Sequence, residues 1–283
     1  MYKKSYGIIE ALAPLHVGAT AGEENGNLNL IFRDQFTQTG IIPGSSIRGR
    51  FRSEMRSAQE TDGDVNHWYG SPAKTGESDS TTESVMKFEY ASVVWLPVFC
   101  PGQPIVWVSS PKLLKRYQRI VGDSLKGDSL KPEKVPEQYT GSATLKTLNI
   151  EGKKKLFFNF GFLELKETKT LKAWFPNGEE LPAVVVGDDE IGLIHDMALY
   201  RQSRVRLMDD EKRVDGGGFF NTEALPEGTI MVFPIAIRET KDSTKTWQPF
   251  GSGKRSGEIY LGGLESIGFG NCMITLKSEG VTA

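Results

Sequence analysis

Apolar and polar positions along this chain change period several times, and each change marks an element. Residues 5–13, SYGIIEALA, alternate loosely and predict a strand, and the polar, glycine-rich residues 18–29 predict a loop. LIFRDQF then predicts a short strand and TQTG a turn. After Pro43 the period lengthens: Ile47, Phe51, Met55 and Ala58 recur at helical spacing, with Ser45 or Ser46 as the N-cap. Residues 61–84 are rich in Ser, Thr, Gly and Asp and predict a mobile loop. VMKFEYASVVWLPVF and PIVWVSS predict strands joined by a turn at Pro101 and Gly102. Pro111 opens a second helix with Leu113, Leu114, Tyr117 and Ile120 on its apolar side.

Residues 122–155 are polar and lysine-rich and predict a loop, and LFFNFGFLEL predicts a strand. Residues 190–202 predict a helix with Ile191, Ile194, Met197 and Ala198 inward. SRVRLMDDEKRVDGGGFF predicts a β-hairpin, about residues 203–221, with a charged tip. GTIMVFPIAI predicts a buried strand and residues 239–257 a polar loop. EIYLGGLESIGFGNCMITL predicts strand, glycine-rich loop, strand. Strands and helices interleave, which predicts an α+β class with helices on one face of an antiparallel sheet. A split βαβ, ferredoxin-like unit is the natural candidate.

Composition narrows the function classes. Hydrophobic residues make up 38% and charged residues 25%, the balance of a globular chain, and no apolar run is long enough for a membrane span. The start of the chain reads as a strand rather than a signal peptide. A net charge of −2 argues against a uniformly basic nucleic-acid binder but leaves room for local basic patches. Cys100 and Cys272 each lie among apolar residues and predict reduced core thiols and a cytoplasmic location. The three histidines are too scattered for a zinc site.

Four stretches carry candidate chemistry. In TGIIPGSSIRGRFRSEMR, residues 39–56, a serine turn opens the first helix, and Arg48, Arg52 and Arg56 follow four residues apart. Helix-start amides favour a phosphate, and forked guanidinium donors suit further ones, although a solvated helix face has the same pattern. In GGLESIGFG, Gly262, Gly263, Gly268 and Gly270 permit close backbone approach, without the spacing of a Walker or dinucleotide loop. His16 precedes the glycine-rich loop, where an imidazole with a carboxylate can polarise a ribose 2′-hydroxyl. The hairpin carries Arg201, Arg204 and Arg206 at its base, with Met208, Phe219 and Phe220 available to wedge or stack against bases.

Taken in order, PLHVG, GIIPGSSIRGRFR, SVMKFEYASVVWLPVF, VWVSSPKLLKRY, GGGFFNTEALP and GGLESIGFG resemble the RAMP superfamily of CRISPR proteins, and within it the backbone subunits of type III-B (Cmr) effectors. The resemblance runs over nearly the whole chain. It implies one domain over residues 1–283: a modified RNA-recognition-motif core with a β-hairpin thumb and inserted loops. It implies copies stacked head to tail along a CRISPR RNA, paired with complementary target RNA and with other type III subunits. Ser45, Ser46, Arg48, Arg50 and Arg52 would hold the guide, with Gly262 to Gly270 lining the same track. The helix after Pro111 and the hairpin from Arg204 to Phe220, Arg206 included, would add RNA or neighbour contacts.

The family also cuts target RNA, and its leading acid is an aspartate in the loop after LHVG. That position falls on Asn27 here, with Glu23 and Glu24 nearby; His16 and Glu223 match other positions of the cutting site. Asparagine accepts no proton and brings no charge to a cation, so weak or absent target cleavage with intact guide binding is expected. A divalent cation, Mg²⁺ or Mn²⁺, enters only if the target is cut. An active metal-dependent endoribonuclease on this scaffold, and a stand-alone nuclease processing precursor CRISPR RNA, are the alternatives.

Overall fold

The computed structural model describes residues 2–18, 28–58, 62–71, 81–124, 134–207, 214–239 and 246–277. In chain order the first half holds β1 (Tyr2–Ala11), β2 (Leu28–Asn29), β3 (Ile41–Ile42), α1 (Gly44–Ser57) and α2 (Asp62–Tyr69). β4 (Met86–Phe88), β5 (Ala91–Cys100), β6 (Gln103–Ser109) and α3 (Pro111–Ser124) follow. The second half holds β7 (Thr140–Gly141), β8 (Leu148–Ile150), β9 (Lys153–Phe158), β10 (Gly161–Glu164), β11 (Glu167–Thr168) and β12 (Ala183–Val185). It ends with α4 (Ile191–Ala198), β13 (Tyr200–Leu207), β14 (Val214–Ala224), β15 (Ile230–Arg238), β16 (Ser256–Tyr260) and β17 (Asn271–Lys277).

One large sheet runs β11-β7-β12-β6-β5-β15-β1-β17-β16, with β3 and β4 attached beside β5 and β15. Its centre is antiparallel, β1 lying between β15 and β17, whereas β12 joins β6 in parallel. β1 and β15 are buried on both faces, and their side chains alternate between two cores. Ile9, Ala11, Met231 and Phe233 face α1, whose Ile47, Phe51 and Met55 are buried among them. Tyr6, Ile8, Ile230 and Val232 face α3, through Leu114, Tyr117 and Ile120. The helices therefore cover both faces rather than one. A period-2 pattern specifies that a strand is buried on both sides but not which helix goes where.

Several expected boundaries move. Residues 62–69, expected within a mobile loop, form α2, because Val65, Trp68 and Tyr69 bury against α1 despite their polar surroundings. The expected strand LFFNFGFLEL is a hairpin: β9 and β10 pair antiparallel around Asn159 and Phe160, and β8 extends this sheet into the stretch expected as loop. LIFRDQF makes only isolated bridges, Gly18 to Ile31 and Arg33 to Gly40. Met197 of α4 is 45% exposed, and His195 takes its place inside. The thumb hairpin forms as expected from β13 and β14, with β2 added as a third strand. Among the described residues no helix is long and apolar enough to cross a membrane.

Candidate nucleic-acid interface

α1 begins earlier than its serines suggest. Pro43, at φ −56° and ψ 140°, is the cap residue, and no side chain caps the helix. Gly44 makes this start possible, because a Cβ there would lie 2.2 Å from the Phe88 carbonyl oxygen. Ser45 and Ser46 are thus exposed first-turn residues, not caps.

Arg48, Arg50 and Arg52 of α1 divide between two jobs, while Arg56 is exposed. Arg48 donates to the Tyr69 carbonyl, and Arg52 Nη2 donates to Asn66 Oδ1 at 3.1 Å, so both clamp α2 onto α1. Arg50 lies about 200° around the helix from either. It contacts Glu54 at 2.7 Å and Glu265 at 3.1 Å. Its Nε is buried without a hydrogen-bond partner among the described residues. The row of guanidinium groups expected to form one track is therefore split by helical geometry.

Arg50 opens onto a cleft of about 380 Å³ whose α1 wall is Ser46, Gly49, Arg50 and Ser53. Gly18, Tyr260, Gly262 and Glu265 line its other sides. The α1 wall is built of small side chains at helical spacing, so backbone lies close to the surface. Gly262, at φ +79°, is required opposite: a Cβ would meet the His16 carbonyl oxygen at 2.1 Å. That carbonyl accepts the Gly263 N–H at 2.9 Å, which fixes the glycine loop against the segment after β1. Gly270, at φ +87°, turns the chain tightly under Leu261. Gly268 follows the short helical turn Glu265–Ile267, where its N–H donates to the Glu265 carbonyl.

The thumb base docks on the same loop. The Phe269 ring meets Tyr200 edge-on at 5.8 Å and carries the Arg204 guanidinium 5.5 Å from its centroid. Phe220 pairs with Arg204 across the hairpin and is half-buried. Arg206 and Phe219 are placed by backbone register only, and Met208 lies outside the described residues.

His16 and Glu223 come together through the main chain. His16 Nδ1–H donates to the Glu223 carbonyl at 2.6 Å, which fixes the ring and turns Nε2 to its other side. The Glu223 carboxylate is 3% exposed and turns away into an ion cluster. Its Oε2 accepts from Arg33 at 2.9 Å and its Oε1 from Arg201 at 3.0 Å. Asp196 of α4 completes the cluster, 3.0 Å from Arg33 and 2.9 Å from Arg201. Burial raises the Asp196 pKa, but the hydrogen bonds and charges of the two arginines outweigh it and hold the carboxyl below its ordinary value. His195 accepts the Gly40 N–H on Nε2 at 2.8 Å; burial first, and Arg33 second, push its pKa down to about 3, so it stays neutral.

This arrangement does not fit a divalent cation at Glu223. Both carboxylate oxygens are engaged by guanidinium groups, and an added cation would face two fixed positive charges. No group of three or more His, Cys, Asp or Glu side chains among the described residues gathers as a metal site. Asn27 lies outside the described residues, as do Glu23 and Glu24. Sequence reasoning missed Arg33 and Asp196, because partners 163 residues apart leave no local signal. It also missed Gly49 and Ser53, although they share the 3.6-residue period of Ser46 and Arg50.

A sequence model of the RAMP superfamily matches residues 8–272. No curated protein sequence matches the chain. Among solved structures, a type III-B Cmr-beta complex in the apo state aligns with a TM-score of 0.72 at 19% identity, covering 99% of each chain. Cmr-beta bound to cognate target RNA aligns at 0.69 with 21% identity, covering 96% of each chain. Oligomeric Cmr4 from Pyrococcus furiosus aligns at 0.68 with 18% identity, covering 97% of this chain and 98% of its own. At such identities the likeness is one of fold, while the sequence match spans nearly the whole chain, and by it this protein belongs to the RAMP superfamily.

Proposed function

We propose that this chain is a backbone subunit of a type III CRISPR effector. It binds CRISPR RNA through phosphates, assembles with copies of itself and other subunits, and positions complementary target RNA. The cleft between α1 and the glycine loop carries this reading, because small side chains and open backbone suit a sugar–phosphate strand and offer no base-reading set. The structural neighbours support the assembly part: type III-B complexes, one with cognate target RNA, and an oligomer. Such a subunit works in the cytoplasm, in keeping with its two free cysteines.

The cleft sets one guanidinium against Glu54 and Glu265, so a phosphate must take Arg50 from Glu265. Target cleavage is weak or absent, because Asn27 occupies the family's aspartate position and the Glu223 carboxylate is held by Arg33 and Arg201. Two measurements test the reading. Arg50→Ala should weaken binding to unrelated guide sequences equally, with a smaller salt dependence. A loss confined to one sequence refutes a phosphate role. In the assembled complex, Asn27→Asp should gain target cleavage at regular spacing, whereas equal cutting by the unaltered protein shows that the acid lies elsewhere.

A further inference from the structure

A second cleft, of about 510 Å³, lies beside α3, on the face of the sheet opposite α1, and shares no lining residue with the first. Four cations of α3 line it: Lys112, Lys115, Arg116 and Arg119, at the i, i+3, i+4, i+7 spacing of one helix stripe. Like charges so spaced repel one another. Arg116 is committed to the fold, donating to Ser92 Oγ at 2.9 Å and lying 4.1 Å over the Tyr90 ring. Lys115 and Arg119 make no ion pair among the described residues.

Asp34 is the carboxylate lining this cleft, and it is spent on its own turn. Its Oδ1 accepts the N–H groups of Phe36 and Thr37 and the Thr37 hydroxyl, at 3.0, 2.8 and 3.0 Å. That cap stiffens the turn, and the turn presents Phe36 79% exposed, with the Lys112 ammonium 5.4 Å from the ring centroid. The turn thus holds an aromatic ring in water beside Lys115 and Arg119, two cations with no ion-pair partner among the described residues. This is the pairing that takes up a nucleotide: cations for the phosphate, a π-face for the base. An acidic peptide would use the charges and leave the ring idle. The volume suits one or two nucleotide units.

We propose that the α3 cleft is a second nucleotide-binding site, with phosphate on Lys112, Lys115 and Arg119 and a base stacked on Phe36. The site stands independently of the α1 cleft, and the test separates them. The full-length protein, stripped of nucleic acid, is titrated with a labelled oligouridine carrying 4-thiouridine, and cross-linked peptides are mapped. Cross-links are expected on residues 34–37 or Tyr90, and they should persist in Arg50→Ala. Lys115→Glu with Arg119→Glu should abolish them, weaken binding about tenfold at low salt and lower the salt slope by about 1.4. Phe36→Ala, which keeps every charge, should weaken binding about tenfold through lost stacking. Competition by free uridine monophosphate identifies a mononucleotide as occupant; competition by oligomer alone identifies an RNA strand. The proposal is overturned by cross-links confined to α1 and the glycine loop, or by wild-type binding in the charge-reversed protein. It is also overturned if oligoglutamate displaces the probe while Phe36→Ala binds normally, which marks a protein-docking surface.

Discussion

Arg33 ties α4 to the thumb, and its removal gives a quantitative test of how the hairpin base is held. Arg33→Ala deletes two contacts, 2.9 Å to Glu223 and 3.0 Å to Asp196. They are unequal, because Glu223 is 3% exposed and Asp196 44%. Removing the whole counter-charge of a buried carboxylate costs about 3–5 kcal/mol. Here Arg201 remains 3.0 Å from Glu223, so the loss is nearer that of one charge-assisted hydrogen bond, about 2 kcal/mol. The exposed Asp196 contact adds less than about 1 kcal/mol. For a chain of this size each kcal/mol moves Tm by about 2–4 °C, so the combined loss of about 2–3 kcal/mol should make Arg33→Ala melt about 4–12 °C lower. Asp196→Ala removes two exposed pairs, to Arg33 and Arg201, and leaves Glu223 with both arginines, so it should shift Tm less than Arg33→Ala does. Urea denaturation of both variants, read by tryptophan fluorescence, supplies the free energies. If Asp196→Ala costs as much as Arg33→Ala, or Arg33→Ala melts like the parent, burial of Glu223 is not what makes this cluster matter.

Glu265→Gln removes the carboxylate that competes for Arg50, so RNA affinity should rise a few-fold at low salt and converge with the parent's at high salt; a fall would show that Glu265 orients Arg50 for RNA instead. Gly262→Ala should cost about 2–3 kcal/mol, since it forces a side chain into positive φ against the His16 carbonyl, whereas Gly263→Ala meets open space and should be neutral. Differential scanning calorimetry of the pair checks this, and equal melting temperatures would refute it. Acid should destabilise the fold through Asp34 and Asp196, whose pKa values lie below their ordinary 3.8. For Asp34, burial raises the value, and the Thr37 and Phe36 hydrogen bonds with the Lys112 charge overcome that. A lowered carboxylate pKa gives stability that is complete above about 3.8 and is lost as pH falls through the folded value. Asp34→Asn should therefore lower stability near neutrality, where the ionised carboxylate contributes, and converge with the parent as the acid limb flattens below about pH 4; an unchanged acid limb would rule this contribution out.

Much of this protein was legible in the order of its residues, because the information was local. Ile47, Phe51 and Met55 announced α1, Leu114, Tyr117 and Ile120 announced α3, and the alternating stretch around the charged tip announced the thumb. The glycines of the loop before β17 marked tight backbone, and six motifs in order carried the family. The missing half was a matter of direction and distance. The four-residue spacing of Arg48 and Arg52 set them on one side of α1 and Arg50 on another, but only packing showed that α2 takes the pair and the cleft takes Arg50. α2 itself was hidden, since its few apolar residues acquire a partner only when α1 lies beside them. The cluster of Arg33, Asp196, Arg201 and Glu223 exists because turns, helix and hairpin converge, and no window of sequence contains it. Periodicity reports which side of an element is apolar; only packing decides what the polar side meets, because that depends on chain segments whose positions are set by the whole fold.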